Sequence, residues 1–310
     1  MDASHTRFSV PVRAPLDLRL TVSALRRLPT SALYPLDGDA FRFVAPLSSG
    51  PHLLSVGMAG AEGAAAALRC DALGGALSAD DVVEAQHLIA RLLGAQRDLT
   101  PLLTLVMDDP DLAPLAQRLR GMKPPRFLSL WEAFCQIVPF QLVSLSAAVA
   151  TLNRFVVALG PRCEYGGRAY WGVPTPASVL ACELSELRAC GLSGAKAQTL
   201  RGLAERALAG ELDAEAYDGT PDAAVLTALT KIPGIGPWSA QVAMLRGLGR
   251  LTVFPAGDSG AARGLRELFG RRTDPEAAAI ATLNRLGDWR GYLYFMLLGR
   301  RLLASESALS

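Results

Sequence analysis

No apolar run in this sequence is long and clean enough to span a membrane; the best stretch, residues 135–150, is interrupted by Gln136, Pro139 and Gln141. A membrane partner is therefore not expected. The segment from Met1 to Val12 carries charge and proline but no apolar h-region, so no secretory signal is expected and the chain reads as cytoplasmic. No C-x-x-C pair occurs. The five cysteines, Cys70, Cys135, Cys163, Cys182 and Cys190, are odd in number and scattered, which supports neither a zinc site nor an iron–sulfur cluster. They read as buried reduced thiols. Histidine is scarce: His5, His52 and His87 all fall early in the chain, so imidazole chemistry is not expected in the rest. Excess charge is missing too. A net +2 argues against bulk electrostatic coating of nucleic acid.

What is present is a globular composition. Of 310 residues, 50% are hydrophobic and 19% charged, enough for two compact domains with a large core. Charge is unevenly placed. Residues 231–310 carry 11 basic and 6 acidic side chains, whereas residues 1–105 carry 9 and 10. A basic last quarter suits an anionic partner, although an arginine-rich solvated helix face would look the same.

The first hundred residues mix short alternating segments with one helix. Leu16 to Leu20, Phe41 to Val44 and Leu53 to Val56 alternate with period two and predict strands; Ala79 to Leu93 has helical spacing. Residues 1–100 thus read as a small α+β domain. From 101 to 310 apolar residues recur at three and four, predicting an all-helical region with helices over 111–122, 127–138, 141–159, 176–189, 194–209, 222–231, 237–249, 258–269, 275–286 and 289–303.

The most informative segment is Lys231-Ile232-Pro233-Gly234-Ile235-Gly236-Pro237-Trp238-Ser239. It predicts a helix, a tight turn and a second helix, a hairpin spanning 222–249. Gly234 and Gly236 permit positive φ and leave the tip bare, and Pro237 suits the first turn of the second helix. Free amides there form an anion site fit for a phosphate. An ordinary αα-hairpin with a glycine turn would share these features. Further on, Phe254-Pro255-Ala256-Gly257-Asp258 ends a loop over 250–258 that brings an acidic residue to a helix start, where Asp is also a common N-cap.

Together the hairpin and the loop resemble the helix–hairpin–helix/Gly-Pro-Asp superfamily of base-excision DNA glycosylases. Within it, the chain looks like the alkylated-base branch, that of 3-methyladenine DNA glycosylase II. Gln141-Leu142-Val143-Ser144, Pro174-Thr175-Pro176, the segment from Gly191 to Ala197, and Trp289-Arg290 with Tyr292 carry the likeness beyond the hairpin.

This resemblance implies a mainly α fold with an N-terminal TATA-binding-protein-like α+β domain. It implies a monofunctional hydrolase that flips an alkylated base out of double-stranded DNA and cuts the N-glycosidic bond, working as a monomer. Asp258 would be the catalytic carboxylate, stabilising an oxocarbenium-like sugar. Leu142, with Gln141 beside it, would be the wedge filling the vacated stack; a core leucine is the plainer reading of Leu142 alone. Trp238, Val242, Leu298 and Phe140 would line the base pocket, with Val242 and Leu298 standing where relatives place aromatics. Gly234, Ile235, Gly236 and Ser239 would hold phosphate. The carbonyls of Thr230, Ile232 and Ile235 would hold a structural Na+ or K+, and no other cofactor is required. Trp238 occupies the place of the Schiff-base lysine of bifunctional glycosylase/lyases, which counts against that activity. Lys196 is read as a DNA contact or a helix start. A non-catalytic damage-binding protein that keeps the hairpin is the remaining alternative.

Overall fold

The computed structural model describes residues 5–59 and 66–307; residues 1–4, part of the Met1 to Val12 segment, lie outside them. Near the N-terminus β1 (Arg7–Pro11), β2 (Leu36–Asp37), β3 (Ala40–Leu47), β4 (Gly50–Met58) and β5 (Ala67–Leu73) form an antiparallel sheet in the order β1-β5-β4-β3-β2. The expected strands at Phe41 and Leu53 lie within β3 and β4, whose register sets Phe43 opposite Leu54. Two helices accompany the sheet, α1 (Leu18–Arg26) and α2 (Ala79–Leu93). A reciprocal cap between Ser78 and Asp81 starts α2, and Gly94, at φ +59°, ends it.

The strand expected over Leu16 to Leu20 is instead the start of α1. Asp17 caps it, its Oδ1 accepting from the Leu20 amide at 2.8 Å. Leu18, Val22 and Leu25, three and four apart, are buried on one side. Five alternating residues fit both periods, and the cap decides between them.

The remaining helices are α3 (Thr100–Val106), α4 (Ala113–Arg118), α5 (Leu130–Ile137), α6 (Leu145–Leu159), α7 (Pro176–Ala181), α8 (Leu184–Ala189), α9 (Gly194–Leu208), α10 (Asp222–Thr230), α11 (Pro237–Ala243), α12 (Ser259–Phe269), α13 (Pro275–Leu286) and α14 (Arg290–Ser307). The region is not wholly helical. β6 (Arg162–Tyr165) and β7 (Arg168–Trp171) form a hairpin turned by Gly166 and Gly167, at φ +58° and +73°. Two successive positive φ values suit the right-handed twist of paired strands. Tyr170 of this hairpin packs with Val44 and Leu53 of the first sheet.

Local chemistry also moves three helix boundaries. The helix expected from 141 begins at Leu145, because Ser144 caps it and leaves Gln141 to Val143 as a loop. The stretch 176–189 splits where Glu183 opens a new cap with Glu186. After α11 the chain widens into a π-helical turn, Met244–Leu248, that carries the fully buried Arg246.

The main apolar cluster runs from Val10 and Phe41 in the sheet through Phe134 and Leu200 to Leu229 and Val242, so it crosses residue 100 without a break. A second cluster gathers Leu102, Leu119, Phe254 and Phe295 around α14. The mouth between α12, α14 and the end of α1 is left open.

Candidate active site

Phe254 and Pro255, both buried, anchor the loop before α12, and the Asp258 amide donates to the Pro255 carbonyl at 3.0 Å. This turn delivers Asp258 as the N-cap of α12. Its two carboxylate oxygens have separate partners. Oδ1 accepts from the Ala261 amide at 2.8 Å, and Oδ2 accepts from the Trp238 indole Nε1 at 3.0 Å. Asp258 is half-buried. The carboxylate is thus fixed in rotation while one face stays accessible, as a preorganised electrostatic stabiliser requires.

Asp258 borders a cleft of about 300 Å³. Leu297, Leu298 and Tyr294 of α14 form one wall, Gly260 and Gly264 of α12 another, and Arg27 closes the end next to α1. Gly264 lets the two helices meet: a Cβ there would stand 3.1 Å from the Leu297 side chain. Leu298 lines this cleft. Phe140 is half-buried near the cleft, with the Arg27 guanidinium 4.6 Å from its ring centroid. Trp238 touches Asp258 rather than lining the cleft. Val242 does not fit its expected role: it is fully buried in the main core, on the inward face of α11, where it can meet no ligand.

Leu142 is fully exposed, at 103% of its reference area, and adopts φ +56°. A large apolar side chain in both an exposed and a left-handed state needs its flanks held. They are. Gln141 donates from Nε2 to the Gly234 carbonyl at 2.9 Å and to Ser239 Oγ at 3.0 Å. Lys196 donates from Nζ to the carbonyls of Pro139 at 3.2 Å and Gln141 at 2.8 Å. Desolvation pulls the Lys196 amine below the usual lysine range. Lys196 is neither a plain helix start, which Ser193 supplies, nor turned only to solvent. Its use as a clamp on the 139–141 loop was not visible in sequence, because nothing local links residues 57 and 55 positions apart.

In the hairpin, α10 and α11 are joined by Lys231 to Gly236. Gly234 has φ +82° and presses on α9, where a Cβ would stand 2.0 Å from Thr199 Oγ1. Gly236 differs: its φ is −87°, an ordinary extended value, and the space around it is open. The expectation of positive φ thus holds for Gly234 alone. Among the described residues no backbone carbonyl accepts from the amides of Gly234, Gly236, Trp238 or Ser239. The Ile235 amide turns inward to the Ile232 carbonyl at 3.0 Å. Bare amides around a side-chain-free tip make an anion-binding surface. Gln141 therefore ties the exposed leucine to this tip and places both on one surface.

Arg27 is the residue the sequence reading missed. It stands at the C-cap of α1, with φ +66°, far from the hairpin in the chain. An Arg-Arg pair at the end of a short helix carries no local sign of a cleft.

Comparison with known proteins agrees with this architecture. Residues 138–287 match the sequence profile described as HhH-GPD superfamily base excision DNA repair protein. The chain is 28% identical over 201 residues to the DNA-3-methyladenine glycosylase of Bacillus subtilis, covering 64% of this chain and 66% of that protein. It is 31% identical over 172 residues to DNA-3-methyladenine glycosylase 2 of Escherichia coli, covering 56% of this chain and 58% of that protein. The match therefore spans less than two thirds of the length of these relatives. Among solved structures, a 3-methyladenine DNA-glycosylase from Archaeoglobus fulgidus superposes with a TM-score of 0.79 at 21% identity, over 95% of this chain and 98% of that one. Residues 138–287 of this chain thus resemble the HhH-GPD superfamily of base excision DNA repair proteins.

Proposed function

We propose that this chain is a monofunctional DNA glycosylase that removes alkylated bases from double-stranded DNA, leaving an abasic site. The observation that carries this reading is the Asp258 carboxylate, held by Trp238 and Ala261 at the rim of a cleft sized for a base. The names of its relatives, DNA-3-methyladenine glycosylases, point to the same substrate class.

The target base must leave the stack before it can enter the cleft. Leu142 would fill the gap it leaves, while Gly234, Gly236 and Ser239 engage backbone phosphate and fix register without reading sequence. Ile235 would take part only through its place in the turn. As the C1′–N bond breaks, positive charge grows on the sugar and Asp258 stabilises it; water then supplies the oxygen. An alkylated purine that is already cationic leaves without a general acid. Trp238 has no amine for a Schiff base. The carbonyls of Thr230, Ile232 and Ile235 would hold a structural Na+ or K+. Neutral oxygen donors suit a hard cation, and Ile232 keeps one lone pair beyond its bond to Ile235. The site needs no second copy, so we expect a monomer. Among the described residues no helix is long and apolar enough to cross a membrane, and we place the chain with chromosomal DNA in the cytoplasm.

The test is release of free base from methylated duplex DNA. Wild type should release methylpurines and leave strands uncut until alkali is added. Asp258→Asn should keep binding and lose excision by about 100-fold or more, the usual scale for such a stabiliser. Normal excision by folded Asp258→Asn would refute the mechanism, and a borohydride-trapped adduct would refute the monofunctional assignment.

A further inference from the structure

The cleft beside Asp258 is lined by Arg27, Arg263, Arg300 and Arg301, none of which the proposed mechanism uses. Arg27 approaches from α1, its guanidinium 4.6 Å from the Phe140 ring centroid and 3.5 Å from the Tyr294 hydroxyl. Among the described residues no carboxylate lies within ion-pair distance of it. It is half-buried, and its backbone is held at φ +66°, a conformation that non-glycine residues adopt under constraint. A second guanidinium, Arg246, is fully buried nearby, lying over the Phe127 ring and donating to the Ala24 carbonyl at 3.2 Å. Burial and the charge of Arg27 pull Arg246 down to about 9. Arg27 therefore brings positive charge and N–H donors to the end of the cleft next to α1.

We infer that Arg27 sets base specificity, donating hydrogen bonds to the acceptor edge of a flipped, uncharged base and disfavouring a cationic one. This rests on the glycosylase reading above. Its chemistry follows from charge flow. When the C1′–N bond of a neutral base breaks, the bond's electron pair leaves on the base nitrogen. Water oxygen bonds to C1′, and a water proton ends on the released base. Negative charge therefore develops on a neutral leaving group, where a guanidinium donor stabilises it. A base cationic through N-alkylation leaves as a neutral molecule and gains nothing from Arg27. The stacking face of Phe140 also remains usable only as a sandwich with Arg27 or after Arg27 swings aside.

The experiment compares single-turnover release of hypoxanthine, a neutral base, and 7-methylguanine, a cationic one, from otherwise identical duplexes. Arg27→Met keeps the length of the side chain and removes charge and donors. Its hypoxanthine rate should fall tenfold or more while its 7-methylguanine rate holds or rises. Arg27→Lys, which keeps charge but not the planar fork, should fall between. An equal fall on both bases, or an unchanged ratio, would mean that Arg27 only supports the fold, and would overturn the inference. So would a wild type that releases 7-methylguanine alone. A wild type that releases neither base refutes the glycosylase reading itself, a distinct result. If Arg27→Met does not fold by circular dichroism, the ratio for Arg27→Lys decides.

Discussion

The Trp238 indole donates its one N–H to Asp258 Oδ2 at 3.0 Å, across 20 residues of chain. The hairpin helix α11 is thereby coupled to the carboxylate at the start of α12. With Oδ1 held by the Ala261 amide, neither oxygen is free to rotate away from the cleft. Tryptophan at this position holds the carboxylate.

Replacing Trp238 by Phe should keep most of the packing and remove this donor. Hydrogen bonds to charged groups are worth about 1.5–3 kcal/mol, which corresponds to a ten- to hundredfold loss of excision rate. Affinity for abasic-site DNA should change little, because the phosphate contacts are untouched. Single-turnover rates and titration of labelled duplex separate the two. A variant that loses binding as strongly as rate would place Trp238 in the DNA interface instead.

The two hairpin glycines should behave differently. Gly234→Ala forces a Cβ to 2.0 Å from Thr199 Oγ1 and strains a φ of +82°. It should lower Tm and weaken DNA binding together, at a cost of at least about 1–3 kcal/mol. Gly236→Ala meets open space at an extended φ, so its Tm should match wild type. Its methyl group would still add bulk to the hairpin tip and lower affinity for damaged and undamaged DNA alike. Thermal melts beside binding curves test this. Equal Tm losses in both variants would contradict the difference.

Much of this was legible in the chain. The Pro/Gly hairpin and the loop to Asp258 are local features, and local chemistry fixes them: a cap, a tight turn, a proline at a helix start. The helix cap at Asp258 likewise read directly. Three things did not. Leu16 to Leu20 is too short for its period to tell strand from helix. Gly166-Gly167 between two short polar-apolar runs was a hairpin signal, but helical periodicity on either side masked it. Val242, Lys196 and Arg27 take their environments from tertiary packing. Val242 faces the core, Lys196 reaches the loop at Pro139 and Arg27 enters the cleft from α1.

Glu132 gives a pH prediction. It is buried on α5 and accepts from Tyr34, from Gln136 at 2.8 Å and from the Leu128 amide at 3.1 Å. Desolvation raises its carboxyl above the usual range, outweighing the hydrogen bond from Tyr34 and the other bonds that pull it down. A raised folded value means the folded state holds the proton more tightly than the unfolded chain. The contribution is full below about pH 4.3, the ordinary value for glutamate, and is lost as pH rises through the folded value. Glu132→Gln removes this slope. Its amide oxygen can still accept from the Leu128 amide, as the protonated carboxyl does, so the cost at low pH is small. Melting curves across pH 4 to 8 should therefore lie close at low pH and diverge as pH rises, with Glu132→Gln the more stable. Parallel curves would mean that Glu132 does not titrate differently on folding.

The last prediction concerns Lys196, which sequence alone reads as a DNA contact or a helix start. Its ammonium instead donates to the carbonyls of Pro139 and Gln141, at the base of the loop carrying the exposed Leu142. Gln141 in turn grips the hairpin at Gly234 and Ser239. The loop is thus tied on two sides, and these ties hold Leu142 at its unfavourable φ of +56°. Lys196→Met cuts one of them without opening a large cavity. Leu142 should then relax, and excision should fall by about tenfold, the worth of one or two hydrogen bonds from a charged donor. Salt dependence separates this role from phosphate contact. A lysine that neutralises a phosphate contributes about one counterion to the slope of log affinity against log salt, and its loss lowers the slope by about that much. A loop clamp contributes none. We expect the slope to be unchanged, while a fluorescent base analogue opposite the wedge reports less flipping. A slope reduced by about one, with flipping intact, would return Lys196 to the DNA interface.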